Sequence, residues 1–322
     1  MRIALAGDTM LGRGVAERLG EAPVSSLVAP EVTALFREAD FAILNLECCI
    51  SERGTPWPAP GKPFFFRAPP SAVELLQHLA VDCVTLANNH ALDFGHEALL
   101  DTLRHLEASG IAAVGAGADV AQARAPVVLG SGHASVAVLS ATDHPADFAA
   151  GPDAPGVALV DLEDPAWLVD AIGLVEAEAV LVTPHWGPNM AIAPRPPIRR
   201  TAAALLAAGA TLVAGHSAHV FHGIGSGVVY DLGDFLDDYR VDPVLRNDLG
   251  ILVLADLEGG RVVRLQAVPL KLEYARTRLA AGPDADWVER RLRGASGDFG
   301  AVVRREDDHL VVAWQQEGEP CG

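Results

Sequence analysis

"TLANNHALDFG", Thr85 to Gly95, changes character halfway along. An apolar run with a β-branched start ends at Ala87; Asn88, Asn89, His90 and Asp93 follow. A buried strand that stops on amides, an imidazole and a carboxylate marks a strand end with chemistry on it. Open α/β sheets bind their ligands beyond the carboxyl ends of their strands.

Working outward, other apolar runs stop in the same way. "RIALAG" (2–7) leads into Asp8, and "FAILNLE" (41–47) closes on Asn45 and Glu47. "AVLVTP" (179–184) precedes His185 and Trp186, and "ATLVAG" (210–215) precedes His216 and His219. "GVVYDLGDF" (227–235), read as one strand, carries Asp231 and Asp234. Between these runs, helical spacing of apolar residues predicts helices over 31–39, 71–80, 96–110, 165–178 and 198–209. The alternation predicts an α/β sheet covered by helices on both faces. Beyond residue 215, 249–257 and 261–272 read as antiparallel strands, 284–293 as a helix and 309–314 as a strand. No repeat or linker stands out, so residues 1–322 read as a single domain, with a motif-bearing core over 1–270 and an extension over 271–322. Two long irregular stretches, 53–70 with its prolines and 142–156, read as functional loops.

Each polar strand end has a plain structural reading by itself. Asp8 could cap a helix near Arg13, Asn88 and Asn89 could be turn residues, and His185 could be a core histidine. Together they favour a divalent cation, and oxygen donors with several imidazoles suit Mn, Fe, Zn or Ca. His78, His96, His105, His133, His144 and His309 lie on helices or generic loops and read as structural; His222 is undecided.

The chain has 24 Lys plus Arg against 42 Asp plus Glu, a formal charge of -18, which repels nucleic acid and anionic headgroups. Cys48, Cys49, Cys83 and Cys321 form neither a disulfide framework nor a metal-binding pair, as in a reducing compartment. No apolar run reaches membrane-spanning length. The expectation is a soluble, cytoplasmic protein with no membrane or nucleic-acid partner and a peptide or small-molecule substrate; the oligomeric state is open.

The motifs "GDTMLGR", "NLE", "FRAPP", "ANNHALDFG", "GAG", "HWG", "GHSAHV" and "DLGDF" occur in the order seen in the CapA-like (poly-γ-glutamate capsule) family, which this sequence resembles from residue 3 to about 255. The resemblance implies a calcineurin-like metallophosphoesterase sandwich: two mixed β-sheets flanked by helices, with metal at the strand ends. It implies a metal shell of Asp8, Glu47, Asn89, His185, His216 and His219. It makes His90 the catalytic imidazole, oriented by Asp93, with His219 and Asp8 as further acid/base groups. Met10 stands where two-metal phosphoesterases carry a His, which implies one cation rather than two. Some CapA-like proteins are lasso-peptide tailoring enzymes that invert a Cα centre, and this sequence is similar to them in lacking an anchor and one metal ligand. That makes a metal-dependent peptide epimerase the first expectation. Phosphoester hydrolysis and a non-catalytic accessory role in polyglutamate or capsule assembly are the alternatives. Arg67 and Arg195, together with Arg199 and Arg200, are candidates to clamp a substrate carboxylate. Trp57, Trp186 and the Phe64–Phe66 run are candidates to line an apolar pocket, with Asp231 and Asp234 also on the substrate side.

Overall fold

The computed structural model describes residues 1–132 and 134–314; His133, Cys321 and the end of the 271–322 segment lie outside the described residues. Two mixed sheets stack face to face. Across the first run Val302–Glu306, His309–Ala313, Arg261–Glu273, Leu249–Glu258, Arg2–Thr9, Phe41–Leu46, Cys83–Thr85 and Ala112–Val114. Its last four strands are parallel and the others antiparallel. The second sheet runs Ile224–Gly225, Val228–Val229, Leu212–Ala214, Ala179–His185, Ala134–Thr142 and Val127–Ser131, parallel at its centre.

Side-chain alternation along the strands explains the layering. In Arg2–Thr9, Ile3 and Leu5 pack between the sheets, while Ala4 and Ala6 pack against outer helices. In Ala179–His185, Ala179 and Leu181 face the first sheet, and Val180 and Val182 face the opposite way. The outer layer on the first sheet carries Val32 and Phe36 of helix Pro30–Arg37, and Leu99 and Leu106 of helix Gly95–Ala108. Leu168 and Ile172 of helix Ala166–Leu174, with Ile198 and Leu205 of helix Pro196–Ala207, cover the second sheet. Strands buried on both faces read as continuous apolar runs, which is why they were visible in the sequence. The expected sandwich of two mixed sheets flanked by helices is the architecture the chain adopts.

Two expectations change. The stretch 227–235 is not one strand: Val228–Val229 belongs to the second sheet and Asp234–Leu236 pairs with Arg2–Thr9 in the first. The crossing occurs at Gly233, whose φ of 73° suits a residue without Cβ. The boundary at residue 270 falls inside the strand Arg261–Glu273, and residues beyond it (Arg276–Leu279, Val302–Glu306 and His309–Ala313) complete the first sheet.

The crossing locks the first strand. Asp8 N–H donates to the Gly233 carbonyl at 3.0 Å, and a Cβ on Gly7 would lie 1.8 Å from that oxygen. Gly7→Ala is therefore expected to force the two segments apart, costing about 2–3 kcal/mol and lowering the melting temperature by on the order of 5 °C. Thermal unfolding followed by circular dichroism measures this; an unchanged midpoint would show that the segments are not locked.

Candidate metal centre

Parallel strands of both sheets end at one place. Asp8 and Glu47 come from the first sheet, and His185 and His216 from the second, where a backbone bridge aligns the two histidines. Asp8, Glu47 and His185 offer ligand atoms all within 4.8 Å of one another, and so do Asp8, His219 and Asp234. All five side chains, and His216, are buried.

Asp8 is shared between the two groups. Its Oδ1 lies 3.8 Å from His185 Nδ1 and 3.7 Å from His216 Nδ1, while its Oδ2 lies 3.5 Å from His219 Nδ1. Asn45 fixes this carboxylate, donating to Oδ1 at 2.7 Å. Its own amide oxygen accepts from Thr85 and Asn88, so the orientation is determined. Glu47 Oε1 lies 4.0 Å from His185 Nε2. The "GHSAH" loop is bent into place, with positive φ at Ser217 (110°) and His219 (58°). Carboxylates hold it there: Ser217 N–H donates to Asp8, and Ala218 N–H to Asp231. Strain of this kind persists only where its surroundings enforce it.

Several polar atoms here are buried without a hydrogen-bond partner: Glu47 Oε1, Asn89 Oδ1, His185 Nε2, His216 Nδ1 and Asp234 Oδ2. Burial and the neighbouring Asp8 push the Glu47 carboxyl well above its ordinary range. Burial also raises Asp8 and Asp234, against the pull of His219. Burial takes His185 well below the usual imidazole value and His216 down to about 4. Burial acts on His219 too, but Asp234, Glu47 and Asp8 outweigh it and hold that imidazole well above its ordinary value. Neutral imidazole lone pairs and crowded, unpartnered carboxylate oxygens are the donor set a divalent cation needs, and the residues fit one.

Beside this cluster lies a cleft of about 540 Å³ lined by His90 and His219 together with Arg13, Phe66, Met190 and Tyr239. His90 Nδ1 is 2.5 Å from Asp93 Oδ2, and His219 Nδ1 is 2.8 Å from Asp234 Oδ1. A row of rings joins the two imidazoles. Phe66 stacks on His90 at 4.0 Å, Tyr239 lies 5.7 Å from Phe66, and His219 meets Tyr239 at 5.3 Å. The Tyr239 hydroxyl donates to Glu47 at 3.3 Å. Burial brings His90 down to about 4 despite Asp93.

Other residues expected at the substrate lie elsewhere. Trp186 is buried in the outer core of the second sheet, its indole N–H donating to the Tyr230 carbonyl. Arg195 is exposed at the start of the helix Pro196–Ala207. Arg67 stacks over Phe94 at 4.1 Å. Arg199 stacks over Phe299, and Arg200 pairs with Glu163. Asp231 spends both oxygens on the backbone of Ala218 and Gly233, so its role is to shape the loop. None of these lines the cleft. His222 Nε2 donates to the Ala191 carbonyl at 2.8 Å, away from the donors. His144, read as a generic loop residue, instead lies 5.6 Å from the His185 ring.

Three cleft features were missed. Arg13 lies in the quoted motif "GDTMLGR"; its guanidinium sits 5.3–5.7 Å from the rings of Phe64, Phe66 and Tyr239 and pairs with Asp238. Tyr239 and Arg240 follow the last quoted motif, where no pattern marks them.

The bacterial capsule synthesis protein PGA_cap model matches residues 2–239. A probable polyglutamine synthesis accessory protein of Mycobacterium tuberculosis is 32% identical, covering 96% of this chain and 95% of that one. The PGA biosynthesis protein CapA of Bacillus subtilis is 29% identical over 72% of this chain and 62% of its own length. Among solved structures, a hypothetical protein from Thermus thermophilus superposes with a TM-score of 0.50 at 18% identity, over 84% of this chain and 99% of that one, a likeness of fold alone. No described helix is long and apolar enough to cross a membrane. With the motif-bearing residues gathered at the joint strand ends, the chain belongs to the bacterial capsule synthesis protein PGA_cap family.

Proposed function

We propose that this protein is a metal-dependent enzyme that moves a proton at the Cα of a peptide-like substrate, an epimerase-type isomerisation. The observation that supports it is the pair of His–Asp dyads, His90–Asp93 and His219–Asp234, opening into one cleft beside a cation-binding cluster. Inversion at carbon needs a base on one face and an acid on the other. The two imidazoles sit at opposite ends of the Phe66–Tyr239 row, and their surroundings drive them apart in proton affinity. His90 is the neutral base; His219 carries the returning proton. Sites that separate two titratable groups in this way assign acid and base roles.

Asp8, Glu47, His185 and His216 would hold the cation, with the Asn89 amide oxygen as a further donor. When bound, such an ion stabilises negative charge on a substrate carbonyl oxygen. Asn45 keeps Asp8 oriented, and Phe66 covers one face of His90 against water. Arg13 and Arg240 place positive charge at the cleft, the role first assigned to Arg67 and Arg195. They suit a substrate carboxylate in an otherwise acidic chain. The relatives named for polyglutamine synthesis and PGA biosynthesis support an amide-linked, peptide-like substrate and a reading as an accessory enzyme of such a pathway.

A second reading, phosphoester hydrolysis, draws on one observation. Asp234 brings a carboxylate to the second donor group, compensating for Met10. That group could take a second cation, leaving His90 to protonate a leaving group.

Incubation with Mn²⁺ and glutamate-containing peptides in heavy water is expected to place deuterium at a Cα, and His90→Ala to slow this by at least ~100-fold without unfolding the chain. Mass spectrometry of the peptide reads it. Fast metal-dependent turnover of an aryl phosphate with no Cα exchange would establish the second reading instead. Glu47→Gln is expected to weaken Mn²⁺ binding by at least ~10-fold in equilibrium dialysis; unchanged binding would remove Glu47 from the donor set.

A further inference from the structure

Lys62 lies in the proline-rich loop 53–70, well away in sequence from the His90 turn. Its ammonium nonetheless reaches into that turn, 2.6 Å from Asp93 Oδ1 and 2.5 Å from the Asn89 carbonyl oxygen. Phe148 and Phe65 flank the nitrogen at 4.9 and 5.8 Å from their ring centres. Only 15% of the side chain is exposed, and Asp93 is fully buried.

Asp93 therefore has a divided role. Oδ2 takes His90 Nδ1 and the Phe66 N–H, the latter at 2.6 Å, while Oδ1 faces Lys62. A carboxylate can rotate about its Cβ–Cγ bond, and an unopposed Oδ1 would let it do so. Lys62 blocks that rotation. It is one of two lysines in the chain, and the choice fits the place: a compact ammonium sits between two oxygens, where a planar guanidinium fork would need more room.

We propose that Lys62 is the positioning residue of the His90 dyad, holding Asp93 aligned and tying the proline-rich loop to the turn that carries Asn89 and His90. It is not among the residues that line the cleft or make up the Asp8 donor groups, and its polar contacts are Asp93 and the backbone carbonyl of Asn89. The inference rests on the dyad reading of His90, but its readout needs no turnover.

The test is the exchangeable ring proton of His90 in protein carrying ¹⁵N-labelled histidine, assigned by its disappearance in His90→Ala. A short His–Asp bond gives a far-downfield, slowly exchanging Nδ1–H signal. Lys62→Met is expected to remove or strongly shift that signal while circular dichroism stays native, and Lys62→Arg, which keeps the charge, to retain it in weakened form. If Lys62→Met is too unstable to purify, Lys62→Gln replaces it with the same expectation. A native-like signal in the uncharged variant overturns the proposal. So does its loss in Lys62→Arg as well as in the uncharged variant, since volume rather than charge would then be responsible. Absence of the signal in the wild-type protein would sink the dyad reading itself, a separate outcome.

Discussion

Three carboxylates, Asp8, Glu47 and Asp234, are buried side by side, and among the described residues none forms an ion pair with lysine or arginine. Removing a carboxylate from water is costly unless opposite charge and hydrogen bonds replace the solvent. His219 supplies one positive charge, and Asn45, Tyr239 and the Ser217 N–H supply donors. Glu47 Oε1 and Asp234 Oδ2 are still left unpartnered, as are His185 Nε2 and His216 Nδ1. A cation would satisfy oxygen and imidazole lone pairs together, and the surrounding hydrogen bonds hold these candidate donors in place.

One sheet could not do this. The ends of parallel strands in a single sheet form a line; a compact shell needs donors approaching from a second direction. Here Asp8 and Glu47 arrive from one sheet and His185 and His216 from the other, so the distance between sheets sets the size of the shell. That distance is fixed by the shared apolar layer to which the first sheet contributes Ile3 and Leu5 and the second Ala179 and Leu181. It is fixed again at the rim, where the chain crosses between sheets at Gly233 and bonds directly to Asp8. Core packing and donor geometry are thus one constraint: swelling between the sheets would open the shell.

The donors were legible in the sequence because each sits where a strongly apolar strand stops, a local signal that survives without any knowledge of the partner strands. Asp8, Glu47, His185, His216 and the His90–Asp93 pair were all marked in this way. The crossing at Gly233 was hidden, since both halves of 227–235 are apolar enough to pass as one strand. The residues expected on the substrate side lie outside the cleft for a different reason. Arg67, Trp186 and Arg195 were chosen by type and by closeness in sequence to a motif, yet which way a long side chain points is decided by distant segments. Trp186 follows His185 directly, but alternation along the chain sends it to the opposite face of the sheet and into the core. Lys62 and Tyr239 reach the site through loops, and Arg13 from the start of the helix Arg13–Glu21, and no local pattern encodes their mutual position.

That division between strands and loops has a functional consequence. The candidate cation donors belong to strand ends embedded in the sandwich, whereas Phe66 and Lys62, which brace the His90–Asp93 pair, lie on the long loop 53–70 that packs against 142–156. Trp57 N–H donates to the Asp93 carbonyl, its indole N–H donates to Asp147, and its ring packs edge-on against Phe148, so 53–70 and 142–156 close over the His90 side together. Prolines stiffen the first of these loops, which lowers the entropy lost in fixing it. Substitution at Phe64 or Phe66 of the first loop can reshape the cleft while the candidate donor side chains, none of which lies on that loop, stay in place. The reverse does not hold: a change at a strand end disturbs the shell, the sheet register and the cleft at once. A scaffold built this way can keep the candidate donor cluster constant while the first loop varies the cleft.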